Sequence, residues 1–324
     1  MEALETYLGL CRTIGPWTDW IQGPGGNFSV KTTNNTLIVK SSGAVIARST
    51  DTDGWVECSI PAIQDALTQE NENIAHTVIA GKGKPSIEAF FHILPPPIIV
   101  HLHPAPLLNI LCQETIPAYD NIRVVPYAKP GIPIMRELQK VYDDSIPIYF
   151  LQNHGIIITA STAEEVYIHM TTLYNDFFPQ KERCTNLHLC RTIQRHFQEI
   201  SGKTPYIKPF LANTIPHHSY SRLFFSYTPD SAVFLQKFPL AFESAKEDPS
   251  AVFQKYYEKH GVLPSVILTP SLIYTIGMTF DMCIATEEIL QAYWQVASHS
   301  HFLADAAVDE LVNWDKEKER RRTK

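Results

Sequence analysis

Apolar residues recur at helical spacing over residues 2–14, with Leu4, Tyr7, Leu8 and Cys11 along one face. Two short runs of strand-forming residues, 28–31 and 36–40, flank Asn34-Asn35 and predict a hairpin, followed by a turn at Ser42-Gly43. A helix is predicted from Ser59 or Pro61 to about residue 71. Ser86 opens another that must stop before Pro95-Pro96-Pro97. Residues 98–103 and 124–127 read as strands, 106–113 and 133–143 as helices, and 148–159 as a strand broken near Asn153-His154-Gly155. Ser161-Thr162-Ala163-Glu164-Glu165 has capping-box spacing and begins a helix towards Asn175. This alternation predicts an α/β domain of three layers, α/β/α, over residues 1–180.

The pattern then changes. Residues 181–205 are polar with helical spacing and end near Gly202, which predicts a linker helix. Residues 206–324 predict a smaller C-terminal α/β accessory domain, with strand-like pieces at 232–235, 266–269 and 272–276 and helices at 249–257 and 286–313. No internal repeat or low-complexity segment interrupts either part.

Composition narrows the function classes. The 324 residues are 44% hydrophobic and 19% charged, the balance of a globular chain, and long enough for one large domain or two ordinary ones. The 27 Lys and Arg against 34 Asp and Glu leave a net charge of −7, and the one dense basic run is Arg320-Arg321-Arg322, so no nucleic-acid partner is expected. The longest apolar stretch, 93–102, holds three prolines and His101 and is far shorter than the roughly 20 residues a membrane span needs. The first residues lack the basic and apolar regions of a signal peptide. Six dispersed cysteines without a CxxC pair read as reduced thiols, so a cytoplasmic location is expected.

Val100-His101-Leu102-His103 is the sharpest chemical signal. In a strand, side chains repeat every two residues, so both imidazoles leave the same face and suit one metal ion; a pair of packed histidines would read the same way. His154 follows a strand and precedes Gly155, which allows a bend that brings a third ring to a strand end. Glu88 sits near the start of a helix, where a carboxylate satisfies the helix dipole but beside a metal would carry a proton. His92, one turn on, faces the same site or packs in the core. Gly23-Pro24-Gly25-Gly26-Asn27-Phe28-Ser29 is a glycine-rich anion nest or a plain turn, and it is neither a Walker loop nor a dinucleotide fingerprint.

The order of five short motifs resembles the class II aldolase/adducin family over about residues 1–180: Gly25-Gly26-Asn27-Phe28-Ser29, Lys40-Ser41-Ser42-Gly43, Pro85-Ser86-Ile87-Glu88, His101-Leu102-His103-Pro104 and Asn153-His154-Gly155. The resemblance implies a class II aldolase-like α/β/α domain with one zinc ion per chain on His101, His103 and His154, and Glu88 as the catalytic acid/base. It implies that Asn27, Ser42, Gly43 and Ser86 hold the phosphate of a sugar phosphate, and that the enzyme is a homo-oligomer, commonly a tetramer. Ile87 stands where family aldolases place a second phosphate-binding serine. The implied activity is a zinc-dependent lyase cleaving a ketose 1-phosphate. Alternatives on the same metal site are an epimerase, dehydratase or decarboxylase, and a different class is a non-catalytic adducin-like interaction module. The second half, through Ser226-Tyr227-Thr228-Pro229-Asp230-Ser231-Ala232-Val233, Ile267-Leu268-Thr269-Pro270, Ile276-Gly277-Met278 and Asn313-Trp314-Asp315-Lys316-Glu317, resembles the region after the aldolase domain in bifunctional rhamnulose-phosphate aldolase/lactaldehyde dehydrogenases. A separate dehydrogenase partner is a further possibility from that resemblance.

Overall fold

In a computed structural model, residues 2–178, 185–210, 231–236 and 238–293 are described, with 306, 308, 309 and 313 beyond them. The chain divides into two compact units, Met1–Lys181 and Glu182–Lys324. The motif 226–233 lies largely outside the described residues, as does 313–317 beyond Asn313.

The first unit begins with α1 (Glu2–Ile14), then the hairpin β1 (Asn27–Lys31) and β2 (Thr36–Lys40), turned through Asn35 at φ 58°. Next come β3 (Trp55–Ser59), α2 (Ile60–Thr68), capped by the Ser59 hydroxyl on the Ala62 amide, and β4 (Val78–Gly81). After the turns of 3-10 helix at Ile87–Ile93 come β5 (Ile98–Leu102), the short α3 (Leu108–Leu111), β6 (Ile122–Val125) and α4 (Ile132–Val141). The hairpin β7 (Ile148–Leu151) and β8 (Gly155–Ala160) leads into α5 (Ala163–Phe177). At the start of α5, the Thr162 hydroxyl accepts from the Glu165 amide at 3.2 Å and the Glu165 carboxylate from the Ser161 amide at 2.6 Å, so the predicted cap forms.

The eight strands form one sheet in the order β4-β3-β2-β1-β5-β8-β7-β6, antiparallel except for β6 against β7. One face carries Leu37, Val39, Val56, Cys58, Ile99, Tyr149, Leu151 and Ile157, and α2, residues 87–93 and α4 bury it. On the same strands Phe28, Val30, Val100, Phe150, Ile156 and Ile158 alternate to the other side and are also buried, while α1 packs on β1 and α5 on β8. Strands covered on both faces read as near-continuous apolar runs, as β5 and β8 do.

Three features differ from the sequence expectation in this unit. β3 and β4 were absent from the predicted pattern, because β3 is half exposed in alternation and β4 is an exposed edge ending in Gly81, so neither carries an apolar run. The helix opened by Ser86 is 3-10 rather than α, although the Ser86 hydroxyl accepts from the Glu88 amide as a cap does.

In the second unit, α6 (Leu187–Ser201) ends at Gly202 in the left-handed region, φ 70°. It is followed by β9 (Tyr206–Phe210), β10 (Leu240–Ala241), α7 (Pro249–His260), β11 (Val266–Leu268), β12 (Ile273–Gly277) and α8 (Phe280–Tyr293). Its sheet has the order β10-β11-β12-β9. β9 contains Pro209, which an edge strand tolerates because one side of its backbone needs no ladder donor. Residues 232–235, predicted as a strand, belong instead to a wide helical turn, Ser231–Leu235, packed on α8; a run this short has no period of its own and its neighbours decide. The predicted helix 286–313 begins earlier, at Phe280, and its continuation past 293 lies outside the described residues except for Ala306, Val308, Asp309 and Asn313, which are helical. Among the described residues no helix is long and apolar enough to cross a membrane.

Candidate metal centre

His101 sits within β5 and is fully buried, on the same sheet face as Ile99. His103 lies just past the last residue of that strand, where its amide donates to the Trp20 carbonyl at 3.1 Å and fixes the exit of the chain. His154 comes from the tight turn between β7 and β8. Its amide bonds the Leu151 carbonyl at 3.1 Å, and the preceding Asn153 has φ 54°, a left-handed conformation that Asn tolerates better than most residues.

The three rings converge with centroids 4.7 to 5.1 Å apart. One nitrogen from each lies within 4.8 Å of the others. Two glycines make room for this. A methyl group on Gly155 would sit 2.3 Å from the Leu102 carbonyl oxygen, 2.8 Å from a His103 ring carbon and 3.2 Å from one of His101. On Gly25 it would meet the His103 Nδ1 at 2.9 Å.

Protonation follows from the surroundings. Burial pushes the His101 imidazolium down to about 3, only partly offset by the Glu88 carboxylate, so the ring is neutral at neutral pH. Its Nδ1–H donates to the Ile156 carbonyl at 2.9 Å, which leaves the Nε2 lone pair facing the other rings. His103 is lowered by burial as well, and its Nε2 is 2.9 Å from His101 Nε2. Three imidazoles aimed at one point, one of them oriented by a backbone carbonyl, are a donor set that suits zinc, whose bonds to imidazole nitrogen are about 2.0–2.1 Å. The residues therefore fit a metal ion.

Glu88 adjoins this group. Its Oε1 is 3.1 Å from His154 Nε2 and 3.7 Å from His101 Nε2, and its Oε2 accepts from Asn27 Nδ2 at 2.5 Å. Burial raises its carboxyl, but His101, His154 and His103 together outweigh burial and hold it at about 2, so it is ionised at rest. Asn27 faces His101 across the β1–β5 pairing, and its Nδ2 also reaches the Ser86 hydroxyl at 3.3 Å. Asn27 Oδ1 and His154 Nδ1 are buried without a hydrogen-bond partner among the described residues.

Of the residues singled out from sequence, His101, His103, His154, Glu88, Asn27 and Ser86 are thus brought together. Ser42 and Gly43 stand exposed on the adjoining loop and connect through the backbone: the Ser42 amide donates to the Lys84 carbonyl at 2.8 Å and the Ser86 amide to the Lys40 carbonyl at 3.4 Å. His92 stays outside the group, fully buried, with its Nδ1 2.7 Å from the Ser29 hydroxyl. Ile87 is partly exposed beside Gly131. Sequence reading quotes Lys40 only as the first residue of the Lys40-Ser41-Ser42-Gly43 motif and gives it no role.

The fold and the histidine group together describe an aldolase-like α/β domain able to hold a metal ion. Residues 6–176 match the family model of the class II aldolase and adducin N-terminal domain, and the chain belongs to this family. It is 26% identical over 159 residues to a 3-oxo-tetronate 4-phosphate decarboxylase of Haemophilus influenzae, covering 43% of this chain and 68% of that protein. Among solved structures, it is similar to the N-terminal class II aldolase domain of a conserved protein from Thermoplasma acidophilum, with 26% identity, a TM-score of 0.45 and coverage of 50% and 86% of the two chains. An L-fuculose-1-phosphate aldolase from Thermus thermophilus matches at 17% identity and a TM-score of 0.37, covering 53% of this chain and 89% of that one.

Proposed function

We propose that this chain is a zinc-dependent lyase that cleaves a ketose 1-phosphate, or a related sugar phosphate, between C3 and C4. The observation that carries the reading is the buried, ionised Glu88 set between Asn27 and two of the three imidazoles. His101, His103 and His154 would hold one zinc ion per chain and leave coordination positions for substrate, the arrangement of a catalytic rather than a structural site. When bound, the dication supplies Lewis-acid stabilisation of the negative charge that builds on substrate oxygens as the carbon–carbon bond breaks.

The chain's own residues supply the proton traffic. Glu88 is ionised, so its first act is to accept the proton released from the substrate hydroxyl whose oxygen becomes the aldehyde. It then returns that proton to the carbon that gained the electron pair. The Asn27 amide holds one carboxylate oxygen, and the other, beside His154 Nε2, moves the proton. Asn27, Ser86, Ser42 and Gly43 would receive the substrate phosphate.

The decarboxylase relative supports a second reading, in which carbon dioxide leaves in place of the aldehyde and the carbon that keeps the electron pair takes a proton from solvent, relayed through Glu88. One experiment tests both: metal analysis and product analysis of the wild type, Glu88→Gln and a His101→Ala/His154→Ala double variant, offered ketose 1-phosphates and 3-oxo-tetronate 4-phosphate. About one zinc per chain in wild type and Glu88→Gln but not in the double variant, with turnover in wild type alone, is the expected result. Aldehyde release supports the aldolase and carbon dioxide the decarboxylase. Full activity in Glu88→Gln would remove Glu88 from the chemistry.

A further inference from the structure

Among the described residues, two side-chain hydrogen bonds join the 3-10 stretch Ile87–Ile93 to β1, and the proposed function uses only one of them. Asn27 and Ser29 alternate to the same face of β1, opposite His101 and Ile99 of β5. Asn27 meets Glu88 at 2.5 Å, and Ser29 Oγ lies 2.7 Å from His92 Nδ1. Both members of the second pair are fully buried, and the His92 ring lies against Phe91 with centroids 4.9 Å apart. Burial lowers the His92 imidazolium to about 3, so the ring is neutral and carries a single N–H. Whichever nitrogen holds that proton, Nε2 has no partner among the described residues. An apolar pair would fill this place without leaving a buried polar atom unmatched. What Ser29 and His92 add to an apolar layer is a direction.

Direction matters because 3-10 hydrogen bonds are poorer than those of an α-helix and fix a seven-residue run weakly. Glu88 sits in the first turn of that run and His92 in its last. The Asn27–Glu88 bond alone does not hold the run through a reaction. When the carboxylate takes a proton it loses its charge, and its hold on the Asn27 amide falls by about half. The Ser29–His92 bond has no part in that transfer and keeps its strength in both states.

We propose that His92, held by Ser29, is a positioning residue for Glu88: the bond fixes the 87–93 run on β1, so that the carboxyl group stays against Asn27 and the His154 ring whether or not it carries the proton. The proposal rests on the reading of Glu88 as the proton carrier of this site. Neither Ser29 nor His92 touches the three imidazoles, so zinc content is expected to stay as in wild type.

The test uses the full-length chain as wild type, Ser29→Ala, Ser29→Thr and His92→Phe. Ser29→Ala removes one oxygen and His92→Phe keeps a ring of similar shape, so the same bond is broken from either side. In the zinc-loaded chains, kcat on whichever sugar phosphate the wild type turns over should fall roughly tenfold to a hundredfold in Ser29→Ala and His92→Phe, and recover in Ser29→Thr. KM should change by less than about twofold, the split expected when only the transition state loses an interaction. The second readout is independent of zinc and turnover: the Asn27 side-chain amide resonance of chelator-treated chains labelled at asparagine, assigned by its loss in Asn27→Asp. Its bond to the carboxylate should shift it downfield of its place in Glu88→Gln, and Ser29→Ala and His92→Phe should move it back towards that place while Ser29→Thr does not. Wild-type kcat in Ser29→Ala would overturn the proposal. So would a loss of melting temperature and turnover together with an unmoved Asn27 resonance, which marks a merely structural bond. If the resonance moves as expected while wild type turns over none of the sugar phosphates offered, the positioning of Glu88 by His92 stands and the reading of Glu88 as proton carrier falls.

Discussion

Gly155→Ala is the most direct test of the geometry that gathers the three imidazoles. The new methyl group would stand 2.3 Å from the Leu102 carbonyl oxygen, a backbone atom in the β5–β8 pairing, and close to two of the rings. Side-chain ends yield cheaply to such contacts, but a carbonyl inside a sheet does not, so β5 and the β7–β8 turn must separate. Overpacking a buried site costs about 1–3 kcal/mol, and a clash with backbone belongs at the upper end, about 2–3 kcal/mol. For a unit of this size each kcal/mol lowers Tm by roughly 2–4 °C, so the first unit should melt roughly 4–12 °C earlier. Separation also misaligns the His101 and His103 rings, and a disturbed ligand orientation weakens metal binding by about tenfold or more. Gly9→Ala is the matched control: nothing lies within 4 Å of its added carbon, and it sits inside α1, where Ala should stabilise by about 0.5–1 kcal/mol. Calorimetry and competitive zinc titration measure both effects. Wild-type melting and zinc affinity in Gly155→Ala would refute the close approach of the three rings.

The remaining predictions use other parts of the first unit and the titration of buried groups. Burial lowers the His92 imidazolium to about 3, below its unfolded value near 6.5, so the unfolded chain binds the proton first as pH falls. Stability conferred by neutral His92 is complete above about pH 6.5 and is lost towards pH 3, at up to about 1.4 kcal/mol per pH unit; in urea unfolding of chelator-treated wild type and His92→Gln the difference in slope should grow from near zero at pH 7.5 to about one proton at pH 5. Burial pushes the Cys11 and Cys283 thiols up to about 12 and Cys58 to about 11, whereas Cys112 is exposed. At pH 8 a thiol reagent should therefore lose a fast phase in Cys112→Ser and keep it in Cys58→Ser. Thr162→Ala removes the α5 cap and should cost about 1 kcal/mol, read as a shifted urea midpoint at constant slope.

How much of the fold is legible depends on what holds each element. The helix at Glu2–Ile14 and the hairpin through Asn35 carry their own signals, apolar spacing and a turn residue, and both appear at the expected places. β4 carries none: Val78–Gly81 is largely exposed and exists because Val56, Glu57 and Cys58 of β3 offer it a partner. The turn at Ser231–Leu235 fails in the opposite sense, since its apolar residues suit a strand until α8 packs on them.

The site divides along the same line, between local spacing and distant pairing. Two histidines separated by one residue imply a shared face, and a glycine after a third implies a bend; both inferences need only neighbours in sequence. What arms Glu88 is instead the register that sets Asn27 opposite His101, so that the Asn27 amide meets a carboxylate from a different element. Nothing local in Gly26-Asn27-Phe28 encodes that register, which is fixed when β1 inserts between β2 and β5. Lys40 is harder still. A lysine ending a strand is ordinarily a solvated terminus, and only the return of residues 23–24 over residues 41–44 buries it between two carbonyls. The sequence pattern that names the metal ligands thus reaches the charges around them only through pairings between segments far apart in the chain, which is why substitutions at Asn27 and Lys40 interrogate the site's electrostatics more sharply than substitutions at the histidines.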